Sequence, residues 1–176
     1  IRSCGVVTPP PPLVNPVEPV AGCVPSYPNQ MTANWIGTAT NPWPSYGRRA
    51  RLFLGRNSTL SYRFATPANS ASLSGPGFGT FATGDFPEDG DGILKMTISS
   101  TEGCTNSANL HPNCAPPPAR LAGVSWSLMP SLYSCPLEYG KTYYINLTYG
   151  NSSSHIDGQP YCPVSICGVD FQNQIQ

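Results

Sequence analysis

Seven cysteines, Cys4, Cys23, Cys104, Cys114, Cys135, Cys162 and Cys167, are the residues with most chemistry to offer, and their number is odd. Thiols form disulfides, ligate metals or exchange electrons, and spacing tells these uses apart. No Cys-x-x-Cys occurs. Cys104, His111 and Cys114 would supply three zinc ligands, but a second pair at ligand spacing is missing and the other histidine, His155, lies far along the chain. Disulfides in an oxidising compartment are therefore the expected use of Cys23, Cys104, Cys114, Cys135, Cys162 and Cys167. Cys4, nearest a free end, is the expected odd thiol and could bridge to another subunit.

Other candidate chemistry is thinner. Asp85, Glu88, Asp89 and Asp91 hold four of the nine acidic residues, and such carboxylates on a glycine-containing turn suit calcium. Their spacing is not that of an EF-hand, and the plainer reading is a solvated turn that needs no ion. His155-Ile156-Asp157 places a base beside a carboxylate, yet neighbours in sequence seldom form a triad, and residues 151–158 read as loop. Gly123-Val124-Ser125-Trp126-Ser127 lacks the second glycine of a nucleophile elbow, and its serine falls in mid-strand. No enzymatic activity and no resident cofactor are expected, calcium being the one ion with a candidate site. Sequons stand at Asn57, Asn146 and Asn151, at about the frequency chance would give.

Composition limits the partners. Charged residues make up 10% of the chain, well below the usual share of about a quarter, and the formal net charge is zero. Nucleic acid is not expected, because phosphate binding needs a basic field. Five of the nine basic residues fall between Arg48 and Arg63, where they read as solvated strand faces. Such a surface does little to keep copies of the chain apart. No apolar run approaches the ~18 residues of a membrane span. In a secreted protein, a start at Ile1 reads as a processed mature form, and a lipoprotein anchor is disfavoured because the first cysteine is Cys4.

The elements that must position these groups are strands. Residues 1–30 form a proline-rich arm with the run Thr8-Pro9-Pro10-Pro11-Pro12-Leu13, which cannot be helical or enter the middle of a sheet. Extended polyproline II is its expected state, with Val6, Val7, Leu13, Val14, Val17 and Val20 making it apolar. It either packs on its own domain, anchored by Cys4 and Cys23, or reaches a neighbouring molecule. Residues 31–176 read as one domain of short strands. Leu52 to Leu54 and Leu60 to Phe64 alternate around a hairpin turn at Gly55 to Ser58. Further strands fit Gly79 to Thr83, Ile93 to Ser99, and Val124 to Leu128. The strongest runs from Thr142 to Tyr149, with Tyr143, Ile145, Leu147 and Tyr149 on an apolar face and the other face open to a ligand or partner. No amphipathic helical stripe appears. The expected fold is all-β, an antiparallel β-sandwich of the immunoglobulin or jelly-roll kind with an extended N-terminal arm and disulfides.

The run Ile93-Leu94-Lys95-Met96-Thr97-Ile98-Ser99, the Cys104 to Cys114 loop, Val124-Ser125-Trp126-Ser127 and Cys135-Pro136-Leu137-Glu138-Tyr139-Gly140-Lys141-Thr142-Tyr143-Tyr144-Ile145-Asn146-Leu147 follow in order. Cys162-Pro163-Val164-Ser165-Ile166-Cys167-Gly168 closes the series. Together, over residues 93–168, they resemble a recurring pattern in secreted bacterial proteins of unknown function. The resemblance implies a bacterial cell exterior and a β-sandwich, and offers no activity to transfer; the arm lies outside it. Cys104 with Cys114, closing a short loop, is the expected bridge. Cys162 with Cys167 competes with pairings to Cys135, which is placed to lock the turn before residue 142 to another strand or to the arm.

Two functions fit. One is a structural subunit of an extracellular filament, pilus-like fibre or surface layer, a homopolymer assembled through the arm. The other is a secreted carbohydrate-binding module or adhesin, in which Trp35, Trp43, Tyr46 and Tyr144 stack on surface glycans.

Overall fold

A computed structural model describes residues 23, 29–34, 49–55, 58–73, 77–84, 94–105, 109–119, 122–149, 155–156, 159–160 and 166–174. Among them the chain is strand and turn, without an α-helix. The strands are β1 (Asn29–Asn34), β2 (Arg49–Gly55), β3 (Thr59–Ala65), β4 (Phe78–Gly84), β5 (Leu94–Ser99), β6 (Gly123–Ser127), β7 (Cys135–Pro136), β8 (Thr142–Tyr149), β9 (His155–Ile156), β10 (Gln159–Pro160) and β11 (Ile166–Gln174). Two short 3-10 turns, Ser70–Ser72 and Pro112–Cys114, interrupt the connections.

The strands form two main sheets, ordered β1-β3-β8-β5 and β2-β11-β4-β6-β7, beside a small β9-β10 ribbon. Alternation explains the faces. In the first sheet Leu60, Tyr62, Phe64, Leu94, Met96, Ile98, Tyr143, Ile145 and Leu147 are buried in one cluster. Leu54, Phe81, Val124 and Trp126 enter the same cluster from the second sheet. One ring contact joins the two contributions, Phe64 lying 5.4 Å from Phe81, and each ring has a further neighbour in its own sheet: Phe64 lies 5.9 Å from Tyr143, and Phe81 lies 5.9 Å from Trp126. These tilted geometries suit the aromatic quadrupoles, and the large side chains fill one shared core.

Three expectations are corrected. β2 and β3 are not hairpin partners: β2 pairs with β11 in one sheet, while β3 pairs with β1 and β8 in the other. Alternation fixes which side chains can share a core, as Leu54 of β2 shares one with Leu60, Tyr62 and Phe64 of β3; it does not name the strand's hydrogen-bonding partner. Nor are the pairings all antiparallel. β1 runs parallel to β3, and β6 parallel to β7. The first parallel pair follows from the excursion of β2 into the second sheet, which returns the chain to the first sheet in its original direction. Finally, His155–Ile156 is not loop but pairs with Gln159–Pro160. β1 spans Asn29–Asn34 and so straddles the expected arm boundary at residue 30.

Candidate interaction surfaces

The middle of the first sheet's outward face is closed by hydrogen bonds around Asn146. Asn146 projects from the middle of β8 away from the core and is wholly buried. Its Oδ1 accepts from Ser61 Oγ on β3 at 2.8 Å and from the Gly103 backbone N–H at 2.8 Å. Its Nδ2 donates to Ser99 Oγ on β5 at 3.0 Å and to the Cys104 carbonyl at 3.2 Å. Thr97 Oγ1 also donates to that carbonyl. One amide therefore ties three strands to the loop 100–105, and Gly103, with φ of 71°, supplies the left-handed backbone that turns its N–H toward the sheet. Thr59, Ser61, Thr97, Ser99 and Thr148 are buried on the same face. The face of β8 that the sequence leaves open to a ligand is thus closed at Asn146 and Thr148, while Thr142 and Tyr144 on the same face stay partly exposed. The Asn146 sequon is closed for the same reason, since a glycan would occupy the nitrogen that bonds Ser99 and Cys104.

Among the described residues, two disulfides staple this arrangement. Cys23 bonds Cys104, and Cys114 bonds Cys135. The expected Cys104–Cys114 bridge is thus replaced. The Asn146 network holds Cys104 on the outer face of the first sheet, whereas Cys114 belongs to the core cluster beside Cys135, so the short sequence separation does not bring the sulfurs together. Both sulfurs of the alternative zinc set with His111 are consumed by these bridges. The Cys23–Cys104 bond roots the arm on the body at a buried sulfur.

The second bridge belongs to an apolar end of the second sheet. β6 ends at Ser127, the chain loops through residues 128–134, and β7 returns beside β6 with Cys135 opposite Trp126. Asn113 Nδ2 donates to the carbonyls of Leu132 at 2.9 Å and Ser134 at 3.3 Å. Ser127 Oγ donates to the Met129 carbonyl and accepts from the Met129 N–H. A loop held at so many points presents Met129, Leu132 and Tyr133 to solvent. Sequence reasoning missed this surface. The available signal was the charge-free segment Met129-Pro130-Ser131-Leu132-Tyr133, with three large apolar residues standing just beyond the alternating strand that ends at Leu128.

Of the expected site residues, Tyr144 lies half-buried on β8, opposite Arg63 and Ser99. Trp35, Trp43 and Tyr46, the calcium set Asp85, Glu88, Asp89 and Asp91, the arm residues Val6 to Val20, and Cys4 and Cys162 lie outside the described residues. Cys167 stands opposite Leu54 in the β11–β2 register. Ser125 sits in mid-strand, its hydroxyl 3.0 Å from that of its cross-strand partner Thr80. Burial pushes the Tyr62 hydroxyl up to about 12. Tyr143 is also raised, chiefly by burial; a hydrogen bond from the Glu138 backbone N–H lowers it and the Glu138 charge raises it. Burial lowers Lys95 on β5. Among the described residues no three His, Cys, Asp or Glu side chains gather as a metal site, and no helix is long and apolar enough to cross a membrane.

Neither a protein-family model nor a curated protein nor a solved structure matches the chain.

Proposed function

We propose that this protein is a secreted structural subunit whose two sheets pack as a β-sandwich and whose N-terminal arm joins it to a neighbouring copy in an extracellular filament or layer. The Cys23–Cys104 bridge carries this reading. It fixes the base of an apolar, proline-rich arm to a buried point on the body, so that force on the arm passes into the sheet through a covalent bond. The 22 residues before Cys23 would reach roughly 70 Å as polyproline II, beyond the dimensions of one domain. A net charge of zero adds little repulsion between copies. Two disulfides agree with an oxidising exterior, where the resemblance over residues 93–168 would also place the chain.

Full-length chain should sediment as polymers visible by electron microscopy, and removal of residues 1–22 should leave monomers. A full-length chain that stays monomeric at high concentration, with Cys23 and Cys104 bridged, would refute the assembly.

A further inference from the structure

Among the residues whose side chains are described, the large apolar ones that stand exposed belong to two neighbouring segments of the second sheet. Phe78, 38% exposed, opens β4 opposite Ser127, the last residue of β6. The loop leaving β6 carries Met129 (52%), Leu132 (78%) and Tyr133 (87%). The Leu128 N–H donates to the Gly77 carbonyl at 2.7 Å, holding these two segments side by side. The loop is fixed by the Cys114–Cys135 bridge and by Asn113, so binding would order little that is not already ordered. An exposed apolar cluster on a pre-ordered loop is the character of an interaction site.

Charge narrows the occupant. No Asp, Glu, Lys or Arg occurs between Arg63 and Asp85 or between Arg120 and Glu138, the stretches that build this end. An ionic partner finds nothing to pair with there. One segment of the chain has matching character: residues 3–17 are also without charge, and contain Val6, Val7, four consecutive prolines, Leu13 and Val14. Burying the two against each other would strand no ion. Extended proline-rich segments dock on exposed aromatic and apolar side chains because their conformation is set before binding.

We propose that Phe78, Met129, Leu132 and Tyr133 form the acceptor for residues 3–17 of a second copy of this chain. This rests on the assembly reading above and names its receiving site. The arm is rooted at Cys104 on the first sheet and the acceptor lies on the second. Donor and acceptor are different surfaces, and contacts of that kind repeat head to tail into an open polymer.

A labelled peptide of residues 3–17, with Cys4→Ser, titrated with the full-length chain tests the acceptor directly by fluorescence anisotropy. Saturable capture is expected, weakened about tenfold or more by Leu132→Ser with Tyr133→Ser, and weakened also when Pro9 to Pro12 of the peptide are replaced by alanine. Both substituted side chains are exposed, so an unchanged thermal midpoint will show that the variant is folded. No capture, or capture of equal strength by the variant, overturns the proposal. Sedimentation separates the two claims. Polymers that require residues 1–22 yet survive both serine substitutions keep the assembly reading and overturn the acceptor. Tyr133-dependent capture by a chain that never polymerises keeps the apolar surface as a site for the arm, but overturns both the second copy as its occupant and the assembly.

Discussion

At the residue scale, Asn146 concentrates the most structural dependence in one side chain. It accepts from Ser61 and Gly103 and donates to Ser99 and Cys104, all out of water. Asn146→Ala would leave several buried polar groups without their partner, at a cost of roughly 2–5 kcal/mol. Urea denaturation of the oxidised protein measures it, and a loss below about 1 kcal/mol would show that the network is dispensable. Tyr62 makes a second residue-scale prediction. Its folded-state value of about 12 lies above the value near 10 of an unfolded chain. The stability linked to this hydroxyl is therefore fully present below pH 10 and is lost as pH rises toward 12. Tyr62→Phe should flatten the alkaline fall in unfolding free energy across that window, a change read by denaturant titrations at successive pH values.

Elements show where sequence was and was not informative. β5, β6 and β8 were legible because their buried residues alternate without interruption, as Tyr143, Ile145 and Leu147 do. β11 was not, since Ile166-Cys167-Gly168-Val169-Asp170-Phe171-Gln172-Asn173-Gln174 carries glycine and a polar second half; its pairing with β2 and β4 comes from neighbours far away in the chain. The second face of β8 reads as open in sequence, yet only the folded chain places the loop 100–105 over it. The apolar end stayed hidden because its loop has no period to detect. The Cys114–Cys135 bridge that holds this loop spans 21 residues. Converting both cysteines to serine should cost about 3 kcal/mol by relaxing the unfolded-state constraint. It should also open residues 128–134 to chymotrypsin at Leu132 and Tyr133, and an unchanged cleavage rate would mean that Asn113 alone suffices to hold the loop.

Across the whole molecule, the second sheet is joined through its latest member. β2 and β4 bond to opposite edges of β11 and not to each other, although β4 ends at Gly84 and β11 begins at Ile166. Contacts so distant in sequence make a slow folder. A chain ending at residue 165 should therefore lack the strand that joins β2 to the rest of the second sheet and fail to show a cooperative unfolding transition, which circular dichroism on heating will detect. During synthesis the same topology imposes an order of events. Until residues 166–174 have left the ribosome, β2 and the β4-β6-β7 group have no strand to join them. The first sheet needs nothing beyond residue 149, so the two sheets close at different moments of synthesis, the second waiting for β11 to bridge strands made long before it.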